Sequence, residues 1–194
     1  VSVNGLGKSA KYDIMVADAD GHGARSVASA NSPLMSPTWS PDGRKLAYVS
    51  FESGNSAIYL QDLVTGSRER LTSFAGINSA PSFSPDGRRL AMTLSKSGNP
   101  EIYVMDVASR ALTQITNQMG IDTEPDWSSD GSSIYFTSDR GGQPQIYQVS
   151  ASGGGATRVS FQGNYNASQM QKDLEKLVQH TDAIWQGYPY QRYL

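Results

Sequence analysis

Pro37-Thr-Trp-Ser-Pro-Asp-Gly43 returns 44 residues later as Pro81-Ser-Phe-Ser-Pro-Asp-Gly87, and after another 44 as Pro125-Asp-Trp-Ser-Ser-Asp-Gly131. Two further landmarks keep the same step. One is Ile58-Tyr-Leu, Ile102-Tyr-Val and Ile146-Tyr-Gln; the other is Leu71-Thr72, Ile115-Thr116 and Val159-Ser160. Stepping back from Ile58 lands on Ile14-Met-Val, so a partial copy precedes three full ones. Three landmarks in one register identify an internal repeat, and a repeat decides the architecture before any single element is assigned.

Each unit reads as four short strands. The first carries Thr38 and Trp39 and stops at Ser-Pro-Asp-Gly, where Pro sets φ, Asp bonds nearby backbone and Gly takes positive φ. The second is Lys45–Ser50, the third Ala57–Gln61 and the fourth Glu69–Thr72, with polar, Gly-rich turns between them. Four antiparallel strands in a unit of this length are a β-propeller blade. The expected fold is all-β: a partial propeller of three four-stranded blades plus half a blade. Trp39, Phe83 and Trp127 share one position on the innermost strand and are expected as wedges between blades. On that reading Trp39→Ala costs about 3–5 kcal/mol.

The rest of the composition narrows the function. Among 194 residues, 16 basic and 18 acidic side chains leave a net charge of −2, without the basic excess of a nucleic-acid binder. No apolar run approaches the roughly 20 residues that span a bilayer. Cysteine is absent, which removes disulfides, thiolate metal sites and a Cys nucleophile. The chain opens at Val1 without an initiator Met and reads as starting inside a longer product.

Catalytic motifs are missing. The two histidines, His22 and His180, sit in a Gly-rich turn and in the tail, and no zinc-protease, nucleophile-elbow or dinucleotide motif is present. Asp18-Ala-Asp20-Gly21 starts like a calcium loop but lacks the later ligands, so it reads as a turn, as does Gly153-Gly-Gly155. Asp122, Glu124 and Asp126 lie within five residues at the start of an innermost strand. Such a set can hold a hard cation such as calcium in the channel or attract a basic partner; simple solvation is the alternative. No other cofactor is expected.

From Gln169 the repeat stops. Met170, Leu174, Leu177, Val178, Ile184 and Trp185 recur at helical spacing, predicting an amphipathic α-helix ended near Gly187 and Pro189. The domain reading is therefore 1–168 for the blades and 169–194 for a helical tail. The tail resembles a helix-plus-strand piece of a metallo-aminopeptidase family, without its zinc motif; foreign sequence capping the blades is the alternative. An open stack of blades exposes its terminal packing faces. Either the helix covers one of them or two chains self-associate there.

The Pro-x-(Trp/Phe)-Ser-Pro-Asp-Gly core, followed by Leu-Ala, Ile-Tyr-x-x-Asp and Leu-Thr, resembles the TolB-type (PD40) propeller family. Pro33-Leu-Met-Ser-Pro37, Thr123-Glu-Pro125, Phe136-Thr-Ser-Asp139 and Arg158-Val-Ser-Phe-Gln-Gly-Asn-Tyr-Asn166 strengthen the likeness, which runs from Tyr12 to about Ser168. The resemblance implies a six-bladed parent ring preceded by an α/β domain. It also implies a periplasmic, non-enzymatic protein that binds the lipoprotein Pal and works with the inner-membrane Tol proteins. Outer-membrane integrity, cell division and colicin import follow from the same likeness. A second reading, the propeller piece of a prolyl-oligopeptidase-like peptidase, requires a catalytic domain encoded elsewhere in the gene. A third, a fusion whose tail begins a metallopeptidase, requires a downstream zinc motif.

The inter-blade connections ring one mouth of the channel. They differ between copies while the strands do not, as suits a binding surface on a repeated scaffold. The resemblance places partner contacts at Met35, Ala80, Thr123 and Glu124, with Ser36 in the same connection as Met35. Ile77 stands where many family members have His.

Overall fold

The computed structural model describes residues 2–4 and 11–159, and the expected tail helix lies outside them. Strands β1 (Ser2–Asn4), β2 (Lys11–Val16) and β3 (Arg25–Ala30) form a three-stranded antiparallel sheet. Three four-stranded sheets follow, each in plain sequence order. They are β4 (Leu34–Trp39), β5 (Lys45–Ser50), β6 (Ala57–Asp62) and β7 (Arg68–Arg70); β8 (Asn78–Phe83), β9 (Arg89–Leu94), β10 (Glu101–Asp106) and β11 (Leu112–Gln114); and β12 (Asp122–Trp127), β13 (Ser133–Ser138), β14 (Gln145–Ser150) and β15 (Thr157–Arg158). The repeat is thus the blade, and the partial copy contributes three strands.

Strand alternation assigns every core side chain to one of two neighbours. Leu90, Met92 and Leu94 of β9 face the preceding blade and meet Ala47, Val49, Ile58 and Leu60. Ala91 faces the following blade and joins Ile102, Val104, Trp127, Ile134 and Phe136. A third layer, Ile14, Ala30, Leu34, Leu46 and Tyr48, joins the first sheet to the second. The core therefore sits between sheets rather than inside any one of them.

The recurrent turn shows why its residue types return in every copy. Ser40 Oγ donates to Asp42 Oδ1 (2.6 Å) and accepts from the Lys45 amide (2.8 Å), while Asp42 Oδ1 also accepts from the Arg44 amide (3.0 Å). Ser84 and Asp86, then Ser128 and Asp130, repeat the arrangement. Gly43, Gly87 and Gly131 hold φ of 68°, 70° and 69°. Adjacent turns also touch: a Cβ on Gly87 would lie 3.4 Å from Pro41 Cδ, and one on Gly131 3.5 Å from Pro85 Cδ. The donors hold all three aspartates below the usual carboxylate range, Ser40, Ser84 and Ser128 chief among them, with Asp130 lowered to about 2. A depressed acid favours the fold above its unfolded pKa and loses that contribution as pH falls through the folded one. We therefore expect the urea midpoint to drop between about pH 4 and about pH 2, and to drop less steeply in Asp130→Asn.

The Leu-Thr landmark closes the blade by a hydroxyl. Thr72 Oγ1 accepts the Ile58 amide (3.0 Å), and Thr116 Oγ1 accepts the Ile102 amide (2.9 Å). Leu71 and Ile115 amides return to the Ile58 and Ile102 carbonyls at 2.8 Å. Thr72 is 3% exposed, so Thr72→Val leaves a buried amide without a partner. Urea denaturation should register a loss of about 1–3 kcal/mol.

Trp39 corrects the wedge expectation. Phe83 and Trp127 are each 8% exposed, but Trp39 is 46% exposed. Trp127 lies against the preceding blade, its Nε1 donating to the Ser82 carbonyl (3.0 Å) and the Arg89 guanidinium 4.5 Å from its ring centroid. The sheet preceding Trp39 has no innermost strand among the described residues, so its indole has no such surface to meet.

Candidate protein-binding mouth

Inner strands β4, β8 and β12 share one irregularity at the mouth. Each pairs normally for its first two residues, then shifts register: between Met35 and Thr38, Ser79 and Ser82, and Thr123 and Asp126. In β12, Glu124 and Pro125 together oppose Phe136, a β-bulge with one extra residue. The residue before each proline takes a left-handed backbone, with φ of 51° at Ser36, 49° at Ala80 and 54° at Glu124. None is glycine, so each costs about 1–2 kcal/mol. Proline lacks an N–H to offer the ladder and is tolerated in an inner strand at such a bulge. Strain repeated at equivalent positions of three blades marks the mouth as the place where backbone geometry is specialised.

The bulge reverses the side-chain alternation, which decides where the carboxylates go. Asp122 pairs with Ser138 and Asp126 with Tyr135, so the two point to opposite faces of the sheet. Asp122 turns inward, fully buried, where Arg140 Nη2 donates to its Oδ2 (2.6 Å). Asp126 is exposed and accepts from Ser82 Oγ (3.1 Å) on the neighbouring inner strand. Glu124 is exposed, its flipped amide donating to Thr93 Oγ1 of the preceding blade (3.2 Å). Asp122, Glu124 and Asp126 therefore diverge, and among the described residues no group of three or more His, Asp or Glu gathers to hold a metal.

The remaining predicted residues lie on the inner strands and their connections. Ser36, Ala80 and Glu124 occupy equivalent bulge positions on adjacent inner strands, flanked by Met35 (42% exposed) and half-buried Thr123. Ile77 extends from the β7–β8 connection at 43% exposure. The sequence reading missed Ile121 (50% exposed) and fully exposed Met119 in the next connection. The repeat itself points to Ile121, since adding 44 to Ile77 lands on it. The mouth thus combines apolar tips (Met35, Ile77, Met119, Ile121) with the exposed carboxylates of Glu124 and Asp126.

That last connection is tied to its surroundings by hydrogen bonds. Asn99 Nδ2 donates to the Gln118 and Gly120 carbonyls (2.9 and 2.7 Å), Asp139 Oδ1 accepts the Ile121 amide (2.7 Å), and the Asp122 amide reaches the Pro100 carbonyl (2.9 Å). A Cβ at Gly120 would lie 2.9 Å from the Arg140 backbone nitrogen, so only glycine lets the loop approach this closely. Away from the mouth, Asp20 Oδ1 accepts the His22 amide (3.0 Å) within an exposed turn, as the sequence suggested.

Comparisons with known proteins agree with this architecture. A family model described as the TolB beta propeller domain matches residues 1–183. The Tol-Pal system protein TolB of Xanthomonas oryzae pv. oryzae is 67% identical over 80 residues, which are 41% of this chain and 18% of that protein. The crystal structure of TolB from Acinetobacter baumannii shares 51% identity with a TM-score of 0.73, covering 79% of this chain and 39% of that one. A puromycin-hydrolysing peptidase of Mycobacterium tuberculosis, 18% identical with a TM-score of 0.57 over 80% of this chain and 25% of its own, shares the fold alone. The chain spans under a fifth of the length of the curated relatives it matches. With most of its length under one family model and a bulged inner strand in each full blade, the chain belongs to the TolB beta propeller domain family.

Proposed function

We propose that the chain is a non-enzymatic protein-binding module of the Tol-Pal envelope system that works in the periplasm and engages Pal through the mouth. Colicin peptides are further partners of the same surface, and the inner-membrane Tol proteins are further partners of the module. The observation that carries the reading is the triplet of strained bulges at Ser36, Ala80 and Glu124, framed by exposed apolar tips. Scattered exposed apolar residues need no explanation, but Ile77 and Ile121 recur at equivalent positions of successive connections, with Met35 exposed at the start of an inner strand, apolar tips of the kind partners cover. Its carboxylates favour partner segments bearing amides or basic groups.

A photo-reactive residue placed at Glu124 should cross-link to purified Pal. The same residue at Val64, which is exposed on the β6–β7 turn at the opposite end of the blade, should not. Equal labelling from both ends would remove the mouth from the proposal.

A further inference from the structure

Beneath the Gly120–Thr123 connection lie two carboxyl groups that the binding surface does not use. Glu101 and Asp122 are both fully buried. Glu101 Oε2 accepts from Thr116 Oγ1 (2.6 Å) and its Oε1 from the Gln118 amide (2.9 Å). Asp122 Oδ2 takes the Arg140 guanidinium, but its buried Oδ1 has no partner among the described residues. The guanidinium is itself committed, with Nε on Ser138 Oγ (2.9 Å) and its plane over the Phe136 and Tyr147 rings.

Among the described residues, the neighbouring elements supply no second cation. From the β9–β10 turn, Lys96 lies 4.9 Å from the Phe74 ring centroid; from the β13–β14 turn, Asp139 accepts the Ile121 amide. Two buried carboxylates therefore face one positive charge, an arrangement in which both cannot ionise without a large penalty. One proton resolves both problems, because it neutralises one acid and gives the orphan oxygen a donor.

We propose that Glu101 keeps its proton at neutral pH and donates it to Asp122 Oδ1, so that a shared proton locks the mouth connection Gln118–Asp122 onto the preceding blade. Burial first, and the adjacent Asp122 charge, push the Glu101 carboxyl above its ordinary range. The trio occurs at one interface only. Its equivalents one repeat earlier are Ala57, Asn78 and Lys96, so the other connections are held without it. Asn78, for example, closes its own loop by donating to the Phe74 carbonyl (2.7 Å). Loss of the proton on raising the pH leaves two adjacent anions and loosens this mouth connection.

The test is a carboxyl 13C NMR titration of the intact chain, with signals assigned through Glu101→Gln and Asp122→Asn. The Glu101 signal should remain at its protonated position through pH 7, and amide exchange at Gln118 and Ile121 should accelerate at least tenfold above its transition. Glu101→Gln retains a donor and should abolish that acceleration. A Glu101 carboxyl that ionises near the ordinary value of about 4.3 overturns the proposal. So does a wild-type transition with no change in exchange at either amide. Both readouts are independent of partner binding, so they fail separately from the functional proposal. Should Glu101→Gln not fold, wild type and Asp122→Asn still assign the signal and decide between the two outcomes.

Discussion

Trp127→Ala lowers the stability of the chain by about 3–5 kcal/mol, while Trp39→Ala lowers it by less than about 1 kcal/mol. The two residues occupy the same position of the repeat and carry the same side chain, so propensity and strand register cannot separate them. What differs is the neighbour. Trp127 is 8% exposed, packs with Ala91, Ile102 and Ile134, and donates to the Ser82 carbonyl; Trp39 is 46% exposed. Truncation at 127 opens a cavity between blades and orphans a carbonyl, whereas truncation at 39 removes a ring already half in water. Urea midpoints of the two variants measured side by side check this. Equal losses would mean that the blades do not stack through this position.

The second large effect concerns binding. Ile77→Asp and Ile121→Asp together should weaken Pal binding at least thirtyfold, equivalent to about 2 kcal/mol, with the urea midpoint unchanged. Both side chains are about half exposed, so the fold loses little apolar burial when they are replaced. Each substitution replaces an exposed apolar tip with a charge, which penalises any apolar partner segment that covers it. Isothermal titration reports the affinity. A double variant that binds as wild type would move the contact surface elsewhere on the blades.

Much of this fold can be read from residue order. Ser-Pro-Asp-Gly encodes its turn completely, because the Ser hydroxyl and Asp carboxylate bond backbone within the same few residues. Leu71-Thr72 is visible as a landmark, but the role of its hydroxyl, capping Ile58 from 14 residues away, needs the strands to be paired first. The bulge is harder still. Glu124-Pro125 in an alternating stretch reads as ordinary strand, and one extra residue sends Asp122 inward and Asp126 outward. That is why three carboxylates close in sequence do not meet in space. Trp39 shows the same limit, since a repeat specifies a position but not whether the neighbour that buries it is there. The Glu101–Asp122–Arg140 trio comes from three separate elements and has no local signature.

The central claim is that strained inner-strand bulges present a protein-binding mouth on stacked blades, and titration of the folded chain with purified Pal tests it most directly. The account predicts saturable one-to-one binding that survives Trp39→Ala and is lost on Ile77→Asp with Ile121→Asp. A chain with an intact cooperative unfolding transition that gives no binding heat and no cross-link at Glu124 would contradict it.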